Sequence, residues 1–470
     1  MSEGPVDLVV VGAGIAGLTI AADAAAAGRT VIVLEAADRA GGLLRRGELD
    51  GIPLDLGAES FATRTTGVAE LISDLGLDLQ IVSPAPGGAH LVVAGSDGET
   101  DVVRAPLPKR TVLGIPADPL ADDVVGIIGP DAAARAAAEP RRDAPITPEP
   151  SLFDLAAAQC GDVLARRLVD SLCRSVYSLP ASEARLSRLH PALWREFCAR
   201  GSLIEAAGAV AAPTRAGAAV AGIAGGMWRL AEAVADTARA NGADIRLRTP
   251  VAAVEADATG VVVTTADGAL RASRVVVATG SSAARALLAG GGSTGGGDPT
   301  APAVRVVAAL VDSADLDEHP VGSGAIVGAD VPTAAKALTH VDAKWPWMAA
   351  ALSGSRHVVR LSARDADAPG LDSAADVARE ISLLTGVEVA ADQVVAVTSA
   401  RWTDAVAARP IDADRERDLA THGILLAGAA VAGTGLASVV PHARSVARAL
   451  LGAGPDHTTP ITTFHTRRTA

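Results

Sequence analysis

Three glycines and one carboxylate carry the first chemical signal in the chain. Gly12, Gly14 and Gly17 stand in the spacing G-x-G-x-x-G, with Ala13, Ile15 and Ala16 between them. Glu35 follows about 20 residues on, the offset at which a carboxylate holds a ribose hydroxyl. Gly12 permits a tight turn, Gly14 lets backbone approach a pyrophosphate, and Gly17 lets a helix pack closely on a strand. The N–H groups and partial positive charge of a helix N-terminus then face the phosphates. The chemistry is dinucleotide binding.

The elements that must position these residues are legible around them. Leu8–Val11 is a β-branched apolar run, the pattern of a fully buried parallel strand. An Ala-rich helical stretch broken by Asp23 follows, and Thr30–Leu34 is a second strand ending at Glu35. Strand, glycines, helix, strand and acid in that order are far more specific than the glycines alone.

Arg39-Ala-Gly41-Gly42-Leu43 comes next. A nicotinamide-binding fold does not require this second glycine pair. Just past the ribose carboxylate, it lets another backbone segment close over the dinucleotide, which favours a flavin held within the fold. Glu48–Asp55 reads as a hairpin around Asp50-Gly51. Beyond it, Gly57 and Ala58 are small enough to lie under a flat ring system, and Glu59 and Arg64 can pair as surface charges. Near the other end, Gly423–Ala427 is a buried strand running into Gly428-Ala429 and Gly433-Thr434-Gly435-Leu436, then a helix over Ser438–Leu451. A second helix N-terminus at a glycine turn suits an electron-rich ligand oxygen.

Composition narrows the possibilities. A chain of 470 residues suggests two or three domains with ample core. Net charge is −13 with no Lys/Arg block, which argues against nucleic acid as a partner. Cys160, Cys173 and Cys198 are odd in number and lack metal or disulfide spacing, so buried inert thiols in a reducing cytosol are expected. No secretory signal and no transmembrane run is expected, while peripheral membrane contact stays open. No metal cluster and no Ser-His-Asp set is evident. His90, His190 and His442 lie near turns and read as structural. Aromatics are 2% of the chain, with one Tyr, Tyr177.

The fold class is α/β: a Rossmann-like, discontinuous dinucleotide domain (1–80, 210–290, 395–453), a mixed-sheet substrate domain (81–116, 303–394) and a helical subdomain (117–209). Ser151 reads as the N-cap of a helix over Leu152–Leu172. Gly290–Pro302 is a low-complexity loop. Arg401-Trp402 reads as opening a turn region, and residues 454–470 as a disordered tail.

On these motifs the chain resembles the flavin-containing amine oxidase and protoporphyrinogen oxidase superfamily. Asp55–Arg64, Val176-Tyr177 ahead of Leu186-Ser187, Gly225-Gly226-Met227, Lys344-Trp345-Pro346 and Gly428–Leu436 bring it nearest to the soluble coproporphyrinogen III oxidases of Gram-positive bacteria. The resemblance implies FAD contacts at Gly12–Gly17, Glu35, Ala36, Arg39, Gly42 and Leu43. It implies further contacts at Gly57, Ala58, Glu59, Ser60, Val251, Gly428, Ala429, Thr434, Gly435 and Leu436. It also implies oxidation of a porphyrinogen to a porphyrin by three two-electron steps, with molecular oxygen as acceptor and hydrogen peroxide as product, in the cytoplasm. The cofactor carries the hard step and the protein supplies orientation and dryness. Arg64, Arg174 and Lys344 are the cations proposed to meet substrate propionates. Two segments depart from the family pattern: Ala407–Pro410, after Trp402, and Ser175-Val176-Tyr177.

Four alternatives stand beside this reading. They are a protoporphyrinogen oxidase, an amine oxidase, a carotenoid-type desaturase and a non-catalytic flavoprotein. Amine oxidases of the superfamily commonly clamp the amine between aromatic rings, which one Tyr and five scattered Trp make hard to build.

Overall fold

The computed structural model describes residues 6–95, 102–142, 147–177, 179–211, 220–289, 303–363, 369–403 and 411–452. The loop at 290–302, the segment Ala407–Pro410 and the tail at 454–470 lie outside them.

The apolar run at the start becomes an interior strand. Val6–Val11 pairs parallel with Val31–Leu34 on one edge and with Gly268–Val277 on the other. Asp244–Arg246 extends the sheet beyond Val31–Leu34. Gly268–Val277 is long enough to be shared. Its first half pairs antiparallel with Gly260–Thr265, and its end pairs parallel with Ile424–Leu426. Both faces of this sheet are covered. Leu8, Val10 and Val33 pack under the helices Ile15–Ala26, Trp228–Ala240 and Leu436–Gly452, while Val9, Val11, Ile32 and Leu34 meet Val254, Val263 and Leu287. Burial on two faces is why these strands read as unbroken apolar runs.

Asp23, the one charge in the Ala-rich helix, is held by Arg444 of the last helix at 2.8 Å, and Arg444 reaches Asp74 at 3.1 Å. The beginning and end of the described chain are thereby tied together on one face of the first sheet.

A second sheet is mixed and seven-stranded. Its order is Val394–Trp402, Val304–Asp312, Arg356–Ala363, Ala335–His340, Gly324–Val327, His90–Ala94 and Val102–Pro106. Arg401 and Trp402 therefore end an edge strand, a correction to the turn expected there: the β-branched run before them pairs with Val304–Asp312 through Trp402 itself. Helices between Asp122 and Val210 cover one face, packing Leu152, Leu155 and Leu168 near Leu91 and Val93. The helix Ala374–Thr385 covers the other with Val377, Ile381 and Leu384.

The single helix expected over Leu152–Leu172 is broken. Ser151 does cap it, its Oγ accepting from Asp154 N at 3.0 Å, but the helix stops at Cys160 because Gly161 takes φ of 97°. The chain resumes through a widened π turn at Ala165–Asp170. Cys160 and Cys173 are buried, and Cys198 is exposed, so the expectation of buried thiols fails at that position. No helix among the described residues is long and apolar enough to cross a membrane.

The closest approach in the first sheet is at Gly17. A Cβ there would stand 2.0 Å from the carbonyl oxygen of Gly12. Gly17→Ala is expected to lower the unfolding free energy by about 2 kcal/mol. Urea denaturation measures this, and an unchanged midpoint would contradict the packing.

Candidate functional site

All the parallel strands of the first sheet end on the same side, and the turns that follow them meet there. Gly12–Gly14, Arg39–Leu43, Thr279-Gly280 and Gly428–Leu436 surround a cavity of about 580 Å³. This is the carboxyl edge of an open parallel sheet, where such folds place their ligands.

The walls are backbone and small side chains for a physical reason. Gly14 begins the helix Ile15–Ala26 with extended backbone and no side-chain cap. A Cβ at Gly14 would meet nothing within 4 Å, so it would project into open space beside the first N–H groups of that helix. The second glycine turn is laid directly on the first: Gly41 N donates to Ala13 O at 2.8 Å, and Gly14 and Gly41 form a short parallel bridge. Glu35 is fixed by two backbone donors, Ala13 N and Ala37 N, each at 2.8 Å. Each of its oxygens keeps a further lone pair for a ligand hydroxyl.

Arg39 donates to Gly42 O at 3.1 Å, and its guanidinium lies 5.6 Å from the ring centre of Trp402. Burial and the nearby Arg45 both lower its pKa. It braces the glycine turn.

Most residues expected at the cofactor come together here. Gly12, Gly14, Ile15, Ala16, Glu35, Ala36, Arg39, Gly42 and Leu43 line the cavity from one end of the chain. Ala58, Ser60, Val251, Gly428, Ala429, Thr434, Gly435 and Leu436 line it from the rest. Ala13, Gly17, Gly57 and Glu59 do not. Ala13 is fully buried and spends its backbone on Glu35 and Gly41. Gly17 packs on Gly12. Gly57 lies against protein: a Cβ there would fall 1.7 Å from Leu43 O, which corrects its placement under a ring.

Glu59 is the centre of a largely buried charge cluster, its side chain 15% exposed. It accepts from Arg360 at 2.7 Å and from the Lys344 ammonium. Arg360 also donates to the carbonyl of Gly57. Burial raises the pKa of Glu59, but the charges of Lys344 and Arg360 outweigh it and hold the carboxyl at about 2. Neighbouring Asp55 accepts from Met227 N at 2.8 Å and Trp228 N at 2.9 Å. Its burial dominates, and its carboxyl is pushed up to about 6.

The three cations proposed for propionates are placed elsewhere. Lys344 is committed to Glu59, so it is not a free substrate cation. Arg174 pairs with Asp170 at 2.7 Å, and Arg64 donates to Ser438 Oγ at 2.8 Å rather than pairing with Glu59. None of the three lines the cavity. His190 is structural, capping the helix Pro191–Arg200 by accepting from Leu193 N at 3.1 Å.

Sequence reading missed Thr279, Gly280, Trp402 and Arg360. Thr279-Gly280 sits where an apolar strand ends in glycine, the same signal that marked Gly12. Arg360 was marked by a lone charge inside the apolar run Val358–Leu361. No metal cluster is evident in the sequence, yet metal-binding residue types gather at His319, His340, Asp342 and His357, away from the cavity lining.

Comparison with known proteins agrees with this geometry. The model of the flavin-containing amine oxidoreductase family matches residues 15–451. Coproporphyrinogen III oxidase of Mycobacterium tuberculosis is 36% identical over 197 residues, covering 40% of this chain. The chain spans only 41% of that relative's length in the match. Putrescine oxidase of Kocuria rosea is 40% identical over 108 residues, 21% of this chain and 23% of that protein. A crystal structure from Exiguobacterium sp. 255-15, described as a protoporphyrinogen oxidase, superposes with a TM-score of 0.75 at 22% identity. It covers 96% of this chain and 100% of its own.

The Glu59 cluster makes a pH prediction. Its folded pKa lies below the ordinary 4.5, so its stabilising contribution is complete above about pH 4.5 and is lost as pH falls toward 2. Glu59→Gln leaves Lys344 and Arg360 uncompensated and is expected to cost about 3 kcal/mol at neutral pH. It should also flatten the acid limb of the urea midpoint measured against pH. A variant with the wild-type acid limb would show that the cluster does not carry it.

Proposed function

The chain belongs to the flavin-containing amine oxidoreductase family, and we propose that within it this FAD-dependent enzyme oxidises coproporphyrinogen III to coproporphyrin III. In this reading molecular oxygen is the acceptor and hydrogen peroxide the second product. The reaction belongs to heme biosynthesis in the cytoplasm. The observation that carries the choice of substrate is the 36% identity to the mycobacterial coproporphyrinogen III oxidase.

The residues present fit FAD. The uncapped helix start at Gly14 would hold the pyrophosphate, and Glu35, held by two backbone donors, has lone pairs left for ribose hydroxyls. Val251, buried at the start of its strand, offers an apolar contact for the adenine. Gly428–Leu436 closes the cavity with the start of the last helix. Bound FAD supplies two-electron oxidation of a carbon centre.

The protein's own task is to orient a tetrapyrrole macrocycle, puckered at its saturated bridging carbons, beside the cofactor and to keep water out. Ala58 and Leu43 on the cavity wall present no reactive group. In this reading the first sheet and its helices hold FAD, and the second sheet with its helical layer forms the substrate side.

Trp402 is the only aromatic residue lining the cavity among the described residues. Its Nε1 donates to Leu56 O at 2.8 Å and its ring meets Arg39 and Arg45, so it is not half of a facing aromatic pair. That disfavours amine oxidation, the activity suggested by the shorter match to putrescine oxidase.

Purified enzyme in air should raise coproporphyrin fluorescence faster than protoporphyrin fluorescence when given the two porphyrinogens in parallel. Faster turnover of putrescine than of either would overturn the proposal. Glu35→Ala removes charge-assisted hydrogen bonds of about 1.5–3 kcal/mol, so FAD affinity is expected to fall about 10- to 100-fold. Flavin released on ultrafiltration measures it.

A further inference from the structure

Four polar side chains outside the cavity meet at one side of the second sheet. His319 follows the short turn Ala314–Leu316, His340 ends the strand Ala335–His340, Asp342 is the second residue of the helical turn Val341–Lys344, and His357 lies in Arg356–Ala363. Each offers one ligand atom, and the four atoms lie within 4.8 Å of one another. The oxidase reading uses none of them.

Three of these atoms form a tight triangle. His340 Nε2 is 3.1 Å from His357 Nδ1, which is 3.0 Å from Asp342 Oδ2, and that oxygen is 3.3 Å from His340 Nε2. All three residues are buried. On neutral rings no placement of protons makes all three edges of this triangle hydrogen bonds. Asp317 Oδ1 lies 3.0 Å from His357 Nε2, which assigns the ring proton to that nitrogen. His357 Nδ1 is then a lone pair facing a carboxylate oxygen. Moving the proton inward loses Asp317 and sets His340 Nε2 against the same carboxylate. With both rings protonated inward, both N–H groups converge on Asp342 Oδ2 and no bond joins the two imidazoles. One edge is always acceptor against acceptor or donor against donor.

A cation at the centre satisfies all three edges at once. Tetrahedral ligands about 2.0–2.1 Å from zinc stand about 3.3 Å apart, close to the sides of this triangle. Asp317 then has the role of the carboxylate that orients a metal-bound imidazole through its other nitrogen. His340 is fully buried, and its Nδ1 has no hydrogen-bond partner. No hydrogen bond beyond the triangle accounts for a ring of this polarity in the core. His319 covers the exposed side, its ring meeting His340 edge-on at 4.8 Å between centroids. Its φ of 49° is a backbone conformation that non-glycine residues seldom take.

We propose that His319, His340, Asp342 and His357 form a structural site for a divalent cation of the zinc class. Three imidazoles and one carboxylate suit that ion, and four protein ligands close its coordination shell, so the site is structural rather than catalytic. Asp342 shares its helical turn with Lys344, so the ion steadies the turn that delivers Lys344 to Glu59.

The test is zinc binding by the tag-free, flavin-loaded full chain, dialysed against zinc ions and assayed by elemental mass spectrometry. His319→Ala and Asp342→Asn are treated in parallel, with bound flavin as the check that each is folded. The expected result is one zinc per wild-type chain, with affinity weaker by about tenfold or more in each variant. A wild type that retains no zinc, or a folded variant that retains it as tightly as the wild type, overturns the site.

Discussion

Everything at the cavity depends on backbone meeting backbone without side chains between. The first helix must start close enough to the first strand that Gly17 touches the carbonyl of Gly12. Only then does the uncapped helix start at Gly14 open onto the cavity while Ala13 N reaches the carboxylate of Glu35. The second glycine turn rests on this arrangement through the hydrogen bond from Gly41 to Ala13. The turn at Gly428 packs against the same helix, where an added Cβ would lie 3.5 Å from Ala16. The Asp23–Arg444 ion pair holds the last helix to the first, so the two distant glycine turns share one frame.

The second sheet is joined to this frame by charge. Glu59 lies next to Ala58 and Ser60 of the cavity wall, and its partners Arg360 and Lys344 belong to the second sheet and to the turn beside it. A largely buried carboxylate with two cations is costly to desolvate and more costly to break. It fixes the spacing between wall and sheet in a way that apolar contact alone does not. If the histidine cluster binds a metal ion, that same turn is held at both ends, through Asp342 and through Lys344.

The parts of this structure that follow local rules were legible in the chain. Parallel strands buried on both faces, glycines at strand–helix junctions, the Ser151 cap and the Asp50-Gly51 hairpin each have a cause within a few residues. Features set by distant partners were not. Gly161 could be seen as a glycine, but whether it would break a helix depended on packing around it. Lys344 looked like a free cation until the fold placed Glu59 beside it. His340 and Asp342 are two residues apart, but His319 lies before two strands and His357 beyond two helical turns, and the register of the second sheet brings the four together. Gly57 was read as room for a ligand, whereas Leu43 occupies that room.

The central claim joins the glycine-lined cavity to a porphyrinogen-oxidising flavin. The most direct test is anaerobic mixing of the yellow, flavin-loaded protein with coproporphyrinogen III while following flavin absorbance. The account predicts bleaching of the flavin band together with the appearance of porphyrin absorbance, and return of the yellow colour on admitting oxygen. A flavin that stays oxidised with coproporphyrinogen III but bleaches with putrescine would contradict it.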